Sequence, residues 1–174
     1  MKYINRNPII YVLSGKAKSG KNTLANIIEK HYQDKKCIQL SFAHYLKEYV
    51  KNITDWNGEE ESKPRDLLQS MGIDLLKKIN NNLLIDRLCD DIRVYSYFFD
   101  VIIVTDARLI EEVETLKNNF DCVTIRVISN LDNGLTEEQK NHITETNLDN
   151  YSKFDFIIKN NDLEKQILEV IKWM

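Results

Sequence analysis

The sequence has few of the residues that break regular structure or cross-link a chain. Its 174 residues include 5 glycines, 2 prolines and 3 cysteines. The cysteines, Cys37, Cys89 and Cys122, are far apart and odd in number. This excludes a disulfide framework or a metal knuckle and fits reduced thiols. With no low-complexity linker and no internal repeat, the chain is expected to form a single domain over residues 1–174, a length that suits one domain.

Long apolar runs and blocks of one charge are also missing. No apolar stretch approaches the ~20 residues that cross a bilayer, and the first residues, MKYINRNP, lack the apolar segment of a signal peptide. The net charge of −3 comes from lysines and glutamates spread along the chain, with no basic block for a nucleic-acid face. We therefore expect a cytoplasmic protein that binds neither nucleic acid nor a membrane. The sequence leaves a homodimer open.

Apolar patterns divide the chain into alternating strands and helices. Short β-branched runs predict strands at PIIYVLS, CIQLSF, DVIIVTD, CVTIRVIS and FDFIIKN. Helical spacing predicts the segments between them as helices: KNTLANIIEKHY, AHYLKEYVKNI, RDLLQSMGIDLLKKI, LLIDRLCDDIRVYSYFF, ARLIEEVETLKNN and DLEKQILEVIKWM. This alternation predicts an α/β fold, a parallel sheet of about five strands with helices on both faces. Residues 129–153 are polar throughout and too long for an ordinary connection, so they are a candidate lid.

A glycine- and lysine-rich stretch stands between the first predicted strand and the first predicted helix. Residues 15–21 match the pattern G-x-x-x-x-G-K. Glycines let backbone N–H groups point at phosphate oxygens, and the helix adds the positive end of its dipole. We predict an ATP site at Gly15, Lys16, Ala17, Lys18, Ser19, Gly20, Lys21, Asn22 and Thr23. The alternative is a chance glycine-rich turn with solvated lysines.

Two residues of this loop have predicted chemical roles. Lys21 is expected to reach the β- and γ-phosphates. Asn22 stands where the pattern has the Ser or Thr whose hydroxyl contacts magnesium, so Thr23 is the candidate for that contact.

A second polar site follows the most apolar predicted strand, which ends in Asp106 with Arg108 two residues on. Ligands of open α/β sheets lie beyond the carboxyl ends of the strands. If this strand neighbours the first, Asp106 faces residues 15–21, which we call the phosphate loop. Asp106 is then a candidate for holding magnesium or orienting the attacking oxygen. Arg108 is a candidate for gripping a phosphate in bidentate fashion. Alternatively, Asp106 caps the next helix and Arg108 is solvated in its first turn.

A kinase with a phosphorylated acceptor needs cations to bind the acceptor phosphate. The chain has six arginines, and only three of them, Arg65, Arg108 and Arg126, fall at the ends of predicted helices or strands, near one edge of the sheet. Lys47, just past the second predicted strand, either lies at the same edge of the sheet or is an exposed helical lysine. An Asn-Lys-x-Asp element for guanine is missing, which argues against a GTPase.

The chain resembles the phage-type deoxynucleoside monophosphate kinases. The similar segments occur in the same order: SGKAKSGKNTLA, SFAHYLKE, RDLLQSMGID, IIVTDARLIEEVETLK, HITE and FDFIIKNNDLEKQI. The resemblance implies a P-loop kinase fold, ATP and Mg²⁺ at residues 15–23, and an acceptor monophosphate near Lys47, Arg65, Gln69 and Arg108. Nucleotide kinases often use lid arginines, but residues 129–153 contain none. Arg126, helped by Lys16 and Lys18, is the candidate to stabilise charge instead.

Animal-type phosphomevalonate kinases look similar too. They share the lysine-rich loop, the D-x-R element and an LDN…FD stretch, which here is Leu148 to Asn150 followed by Phe154 and Asp155. The RDLLQSMG segment favours the nucleotide reading. His142 and Glu145 either touch substrate or form a mobile surface pair, and the second is the usual case. The expected activity is ATP-dependent transfer to a small phosphorylated acceptor, with a nucleotide-binding protein without transfer activity as the rival.

Overall fold

Five parallel strands form one sheet at the centre of the molecule. A computed structural model describes residues 3–130 and 134–173. The strands are β1 (Ile9–Ser14), β2 (Cys37–Leu40), β3 (Val101–Ala107), β4 (Cys122–Ile128) and β5 (Phe156–Lys159). Their order across the sheet is β2-β3-β1-β4-β5, and every neighbouring pair is parallel. The predicted parallel sheet of five strands is confirmed.

Strand β1 lies between β3 and β4, which decides where the functional residues meet. At its carboxyl end, Ser14 is in register with Ala107 of β3 and with Arg126 of β4. The ends of all three strands therefore lie at one edge of the sheet, beside the loop that follows Ser14. The predicted adjacency of the Asp106 strand and the first strand is correct.

Nine α-helices and one π-helical segment are present in the two described ranges. The helices are α1 (Lys21–His31), α2 (Ala43–Ile53), α3 (Arg65–Ser70), α4 (Lys77–Ile79), α5 (Leu83–Tyr95), α6 (Ile110–Asn119), α7 (Glu137–Asn141), α8 (Ile143–Thr146) and α9 (Leu163–Trp173). A π-helix at Met71–Leu76 joins α3 to α4. The described residues contain no helix of the length and apolarity that crossing a membrane requires.

Helices cover both faces of the sheet, each over its own apolar core. On one face, Leu24 and Ile28 of α1 are fully buried together with Ile167 of α9. On the other, Ile92 of α5 and Leu116 of α6 are fully buried against the strands. The spacing of these residues is the helical stripe in the sequence, because side chains three or four residues apart share one face.

A third, smaller cluster holds α2 against the helical stretch of residues 65–79. Its buried members are Leu46, Val50, Trp56, Leu68 and Leu76. This cluster is separate from the two sheet cores, and we call α2 with residues 65–79 the α2–α3 unit. It forms one wall of the cavity described below.

Two predicted helix boundaries differ from the structure. The helix predicted from residue 107 begins only at Ile110, because Ala107 completes β3 and Leu109 is extended with φ −117° and ψ 147°. The buried carboxylate of Glu112 accepts the N–H groups of Arg108 and Leu109 and so holds this turn. The helix predicted to reach residue 99 ends at Tyr95, and residues 96–98 form a turn.

Candidate functional site at the phosphate loop

The loop from Gly15 to Gly20 leads from β1 into α1 with two glycines in conformations that other residues rarely adopt. Gly15 has φ 156° and Gly20 has φ 102°. A Cβ on Gly15 would lie 2.6 Å from the carbonyl oxygen of Val127, and one on Gly20 would lie 2.8 Å from the side-chain nitrogen of Asn160. Gly15 therefore needs glycine for both backbone conformation and space, and Gly20 needs it for its backbone conformation. The loop lies between strand and helix, as its pattern predicts, and its binding of ATP stays a prediction.

Lys21 begins α1 and points back into this loop. Its side chain is almost fully buried, and Nζ donates to the carbonyl oxygens of Gly15 at 2.8 Å and Lys16 at 2.7 Å. Burial and, to a lesser extent, the charge of Arg108 lower the pKa of Lys21 to about 7, against the opposing charges of Glu145 and Asp106. The lysine is thus held inside the loop in a site that disfavours its protonated form.

Asp106 is the next-to-last residue of β3, but it does not act on the helix that follows it. Its two carboxylate oxygens accept the N–H groups of Phe42 at 2.8 Å and Ala43 at 3.1 Å, at the start of α2. The alternative that Asp106 caps the next helix is therefore wrong, because it stabilises the N-terminus of α2 instead. Asp106 links the carboxyl end of β3 to the helix that carries Lys47.

Arg108 and Glu145 meet beside the loop. Arg108 lies two residues before α6, so it is not solvated in a first helical turn; it forms an ion pair with Glu145. Glu145 has a side chain that is only 4% exposed, and its second oxygen accepts the N–H of Ala17 at 2.8 Å. The expectation of an exposed pair on a mobile loop is wrong for Glu145. His142 accepts the N–H of Thr144 and so caps the short helix α8.

Arg126 lies at the end of β4, on the other side of the loop. Its guanidinium donates to Ser14 Oγ at 2.9 Å and pairs with Asp149 at 3.2 Å. Asp149 also accepts from Lys16 Nζ at 2.8 Å. Arg126 is thus close to the loop but outside the lining of the cavity that Arg108 faces. Its role in stabilising transferred charge stays a prediction.

A cavity of about 1140 Å³ opens between the loop and the α2–α3 unit. Its lining includes the loop residues from Ala17 to Thr23, with Asp106 and Arg108. It also includes the other three predicted acceptor residues, Lys47, Arg65 and Gln69. The structure therefore brings together residues that the sequence places more than 60 positions apart. Gly15 and Lys16 are not part of the lining.

The cavity has two further cations that the sequence reasoning missed, Lys63 and Lys77. Lys63 pairs with Glu60 at 3.0 Å, and Glu60 also pairs with Arg65, while Lys77 pairs with Glu111. Lys77 follows Arg65 by twelve residues, which is about three and a third turns of an α-helix, so helical periodicity in the sequence does not place the two on one face. The π-helix at Met71–Leu76 lies between them, and no local pattern in the sequence identifies Lys77.

Glu112 is a second buried acid at the site, beside Glu145. Burial raises its pKa to about 8, opposed by the N–H groups of Arg108 and Leu109 and supported by the charge of Asp106. Since it holds the turn between β3 and α6, Glu112 fixes the backbone from which the Arg108 side chain extends.

The predicted metal residues provide oxygen atoms on the cavity wall. Thr23 and Asp106 both line the cavity, and Thr23 is exposed in the first turn of α1. Among residues 3–130 and 134–173, no group of three or more His, Cys, Asp or Glu side chains could hold a metal ion. Mg²⁺ in phosphate sites is held by one or two protein oxygens, by substrate phosphates and by water. The available oxygens fit that mode.

The candidate lid is partly described. Residues 131–133 of the predicted segment 129–153 lie outside the described residues, and the part from residue 134 contains α7 and α8. Leu148 of this segment is buried in a sheet core, and Glu145 contacts the phosphate loop. Ordering of the segment on substrate binding stays a prediction.

Comparison with known proteins shows the fold. No known protein family and no curated protein matches the chain. Among solved structures, the APS kinase CysC of Mycobacterium tuberculosis in complex with AMPPNP and APS is 13% identical, with a TM-score of 0.60 and coverage of 95% of this chain and 96% of that one. Shikimate kinase from Aquifex aeolicus is 16% identical, with a TM-score of 0.55 and coverage of 95% and 97%.

The fold is that of the P-loop kinases. This confirms the predicted fold class. Because the identities are low, the likeness does not select the phage-type family that the sequence resembles.

Proposed function

We propose that the protein transfers the γ-phosphoryl group of ATP to a (deoxy)nucleoside monophosphate, giving the diphosphate. The observation that carries this proposal is the shared cavity. One wall is the phosphate loop, and the facing wall carries Lys47, Arg65 and Gln69 on the α2–α3 unit. At about 1140 Å³ the cavity lies at the upper end of the range of ligand pockets, ~300–1,000 Å³.

ATP binding is assigned to the loop and the start of α1. The backbone N–H groups between Gly15 and Thr23 and the N-terminus of α1 suit phosphate oxygens. Lys21 would leave the loop carbonyls that it now contacts and spread the charge that develops on the transferring group. One structural neighbour is an APS kinase with AMPPNP bound at such a fold, which supports an ATP site here.

The acceptor phosphate is assigned to Arg65 and Arg108. Both line the cavity and both now pair with carboxylates, Arg65 with Glu60 and Arg108 with Glu145. Bidentate arginine is well suited to a phosphate group. A nucleoside is favoured because Arg65 and Gln69, the distinctive residues of the segment that resembles nucleotide kinases, both face the cavity.

Magnesium is assigned to the oxygens of Thr23 and Asp106, through water where the distance requires it. When bound, the ion would neutralise phosphate charge. Asp106 also positions α2 through the N–H groups of Phe42 and Ala43, so its substitution should disturb the acceptor side even without metal.

The test is ADP release measured over a panel of acceptors. The panel contains the nucleoside and deoxynucleoside monophosphates, phosphomevalonate and dephospho-coenzyme A, with Lys21→Ala as the inactive control. Release with one or more nucleoside monophosphates supports the proposal, and release with phosphomevalonate alone replaces it with the other kinase. ATP binding without release for any acceptor supports a nucleotide-binding protein, a rival favoured by the missing arginines in residues 129–153.

A further inference from the structure

A buried carboxylate lies against the phosphate loop, at a place where a phosphate site needs donors. Glu145 accepts the N–H of Ala17 at 2.8 Å and pairs with Arg108, and its side chain is 4% exposed. The N–H groups of a phosphate loop and nearby arginines are the groups that bind phosphate oxygens. Glu145 thus makes the contacts that an oxygen of a phosphate group would make.

A second carboxylate of the same segment repeats this arrangement on the other side of the loop. Asp149 accepts from Lys16 Nζ at 2.8 Å and from Arg126 at 3.2 Å. Together, Glu145 and Asp149 form ion pairs with Arg108, Lys16 and Arg126. We call these two acidic residues the acidic latch.

With Glu145 and Asp149 in these positions, a polyphosphate could not bind the same donors of the loop. One N–H group donates one strong hydrogen bond, so Ala17 cannot serve Glu145 and a phosphate oxygen equally. Two carboxylates close to the phosphates would also repel them, and in a partly buried site that repulsion is weakly screened.

We propose that the acidic latch holds the phosphate loop closed in the free protein and that ATP binds by displacing Glu145 from Ala17 and Arg108. This inference rests on the proposed ATP site. Displacement does not require the whole segment to leave, because Leu148 is 2% exposed in the sheet core and Asn147 accepts the N–H of Ile110 at 2.7 Å. Rotation of the Glu145 side chain and its turn frees Arg108 for a phosphate.

The first measurement is the dissociation constant of ATP with Mg²⁺, by calorimetry and without acceptor. A ligand that must first open a closed state binds more weakly by the fraction that is open. We expect Glu145→Ala to bind about tenfold more tightly than wild type, and Glu145→Gln to gain less because its amide oxygen still accepts from Ala17. Glu138→Ala removes the same charge from an exposed position of the same segment and should bind like wild type.

Asp149→Asn provides an independent variant, since its side chain is 37% exposed and its replacement leaves the core intact. We expect about threefold tighter ATP binding, so the proposal stays testable if Glu145→Ala fails to fold. Equal or weaker ATP binding in the folded latch variants overturns the acidic latch while leaving the ATP site in place. No ATP binding in any protein refutes the proposed function and the latch with it.

The second measurement does not depend on nucleotide. Hydrogen exchange of the Ala17 amide, followed by NMR in the free protein, should accelerate in Glu145→Ala and remain unchanged in Glu138→Ala. Unchanged exchange in Glu145→Ala would show that the carboxylate does not protect this amide, and would overturn the latch even if ATP binds.

Discussion

Lys21 should take up a proton when ATP binds. In the free protein its Nζ is buried among loop carbonyls and its pKa is lowered to about 7. Bound phosphates would favour the ammonium form and raise that pKa toward its ordinary value of about 10.4. Binding therefore prefers the protonated lysine, so ATP affinity should fall as the pH rises above about 7.

The size of the effect follows from the pKa. At pH 8, about one Lys21 in ten is protonated in the free protein, so ATP binding should take up about 0.9 proton. At pH 6, about nine in ten are already protonated, and uptake by this group should fall to about 0.1 proton. Between a pH of about 7, the pKa of Lys21 in the free protein, and the pKa of Lys21 in the complex, the dissociation constant should rise about tenfold for each pH unit.

Calorimetry at pH 8 in two buffers with different ionisation enthalpies measures this uptake directly. Lys21→Arg keeps the charge but does not titrate, so uptake should disappear in that variant. Lys30→Arg changes an exposed lysine in the last turn of α1, outside the cavity lining, and should behave like wild type. Uptake below about 0.3 proton in wild type, or equal uptake in Lys21→Arg, would refute this account of Lys21.

Four further outcomes are expected. Lys21→Ala should lower turnover about 100-fold or more without changing the unfolding midpoint, measured by ADP release and thermal melting. Arg65→Ala and Arg108→Ala should each weaken acceptor binding by about 2 kcal/mol or more in calorimetry, with no loss of ATP affinity. Glu112→Gln should become more stable relative to wild type as the pH rises from about 5 to 8, because the raised pKa of Glu112 makes the folded state bind the proton that the unfolded state releases. Residues 129–153 should gain protection from hydrogen exchange when both substrates bind.

Each of these outcomes can fail in a distinct way. Turnover of the lysine variant within a few-fold of wild type would remove its catalytic role. Loss of ATP affinity with unchanged acceptor affinity in the arginine variants would mean that the two sites are exchanged. Parallel urea-unfolding curves for Glu112→Gln and wild type across that pH range would show that the buried acid does not titrate as described. Equal protection of the segment with and without ligands would argue against a lid.

The sequence was informative wherever the physics is local or repeats along the chain. Alternating strand and helix patterns imply parallel strands, and parallel strands place their carboxyl ends at one edge. That reasoning was enough to bring the phosphate loop, Asp106 and Arg108 together, and the structure has all three around one cavity. The loop was predictable for the same reason, since its glycines are required by backbone geometry within a few residues.

Contacts between distant segments could not be predicted in this way. The local alternative for Asp106 was to cap the helix that follows it, yet it binds N–H groups 63 and 64 residues earlier in the chain. Glu145 looked like a surface residue of a polar loop, and it is buried against Ala17, 128 residues away. A polar residue carries no local signal of which distant donor it will meet, because that depends on how the segments pack.

The pairing of cations with carboxylates explains how a site with so much positive charge exists in the free protein. Lys63, Arg65, Lys77 and Arg108 line the cavity, and each pairs with a carboxylate. Unpaired, these charges would repel one another. Lys21 is held by neutral carbonyls instead of a carboxylate, and burial, followed by the charge of Arg108, lowers its pKa. Substrate phosphates would thus replace carboxylates that already bind these cations. The net gain in binding free energy per contact is then smaller than the number of cations suggests, and selectivity for an acceptor depends on which ion pairs it can replace.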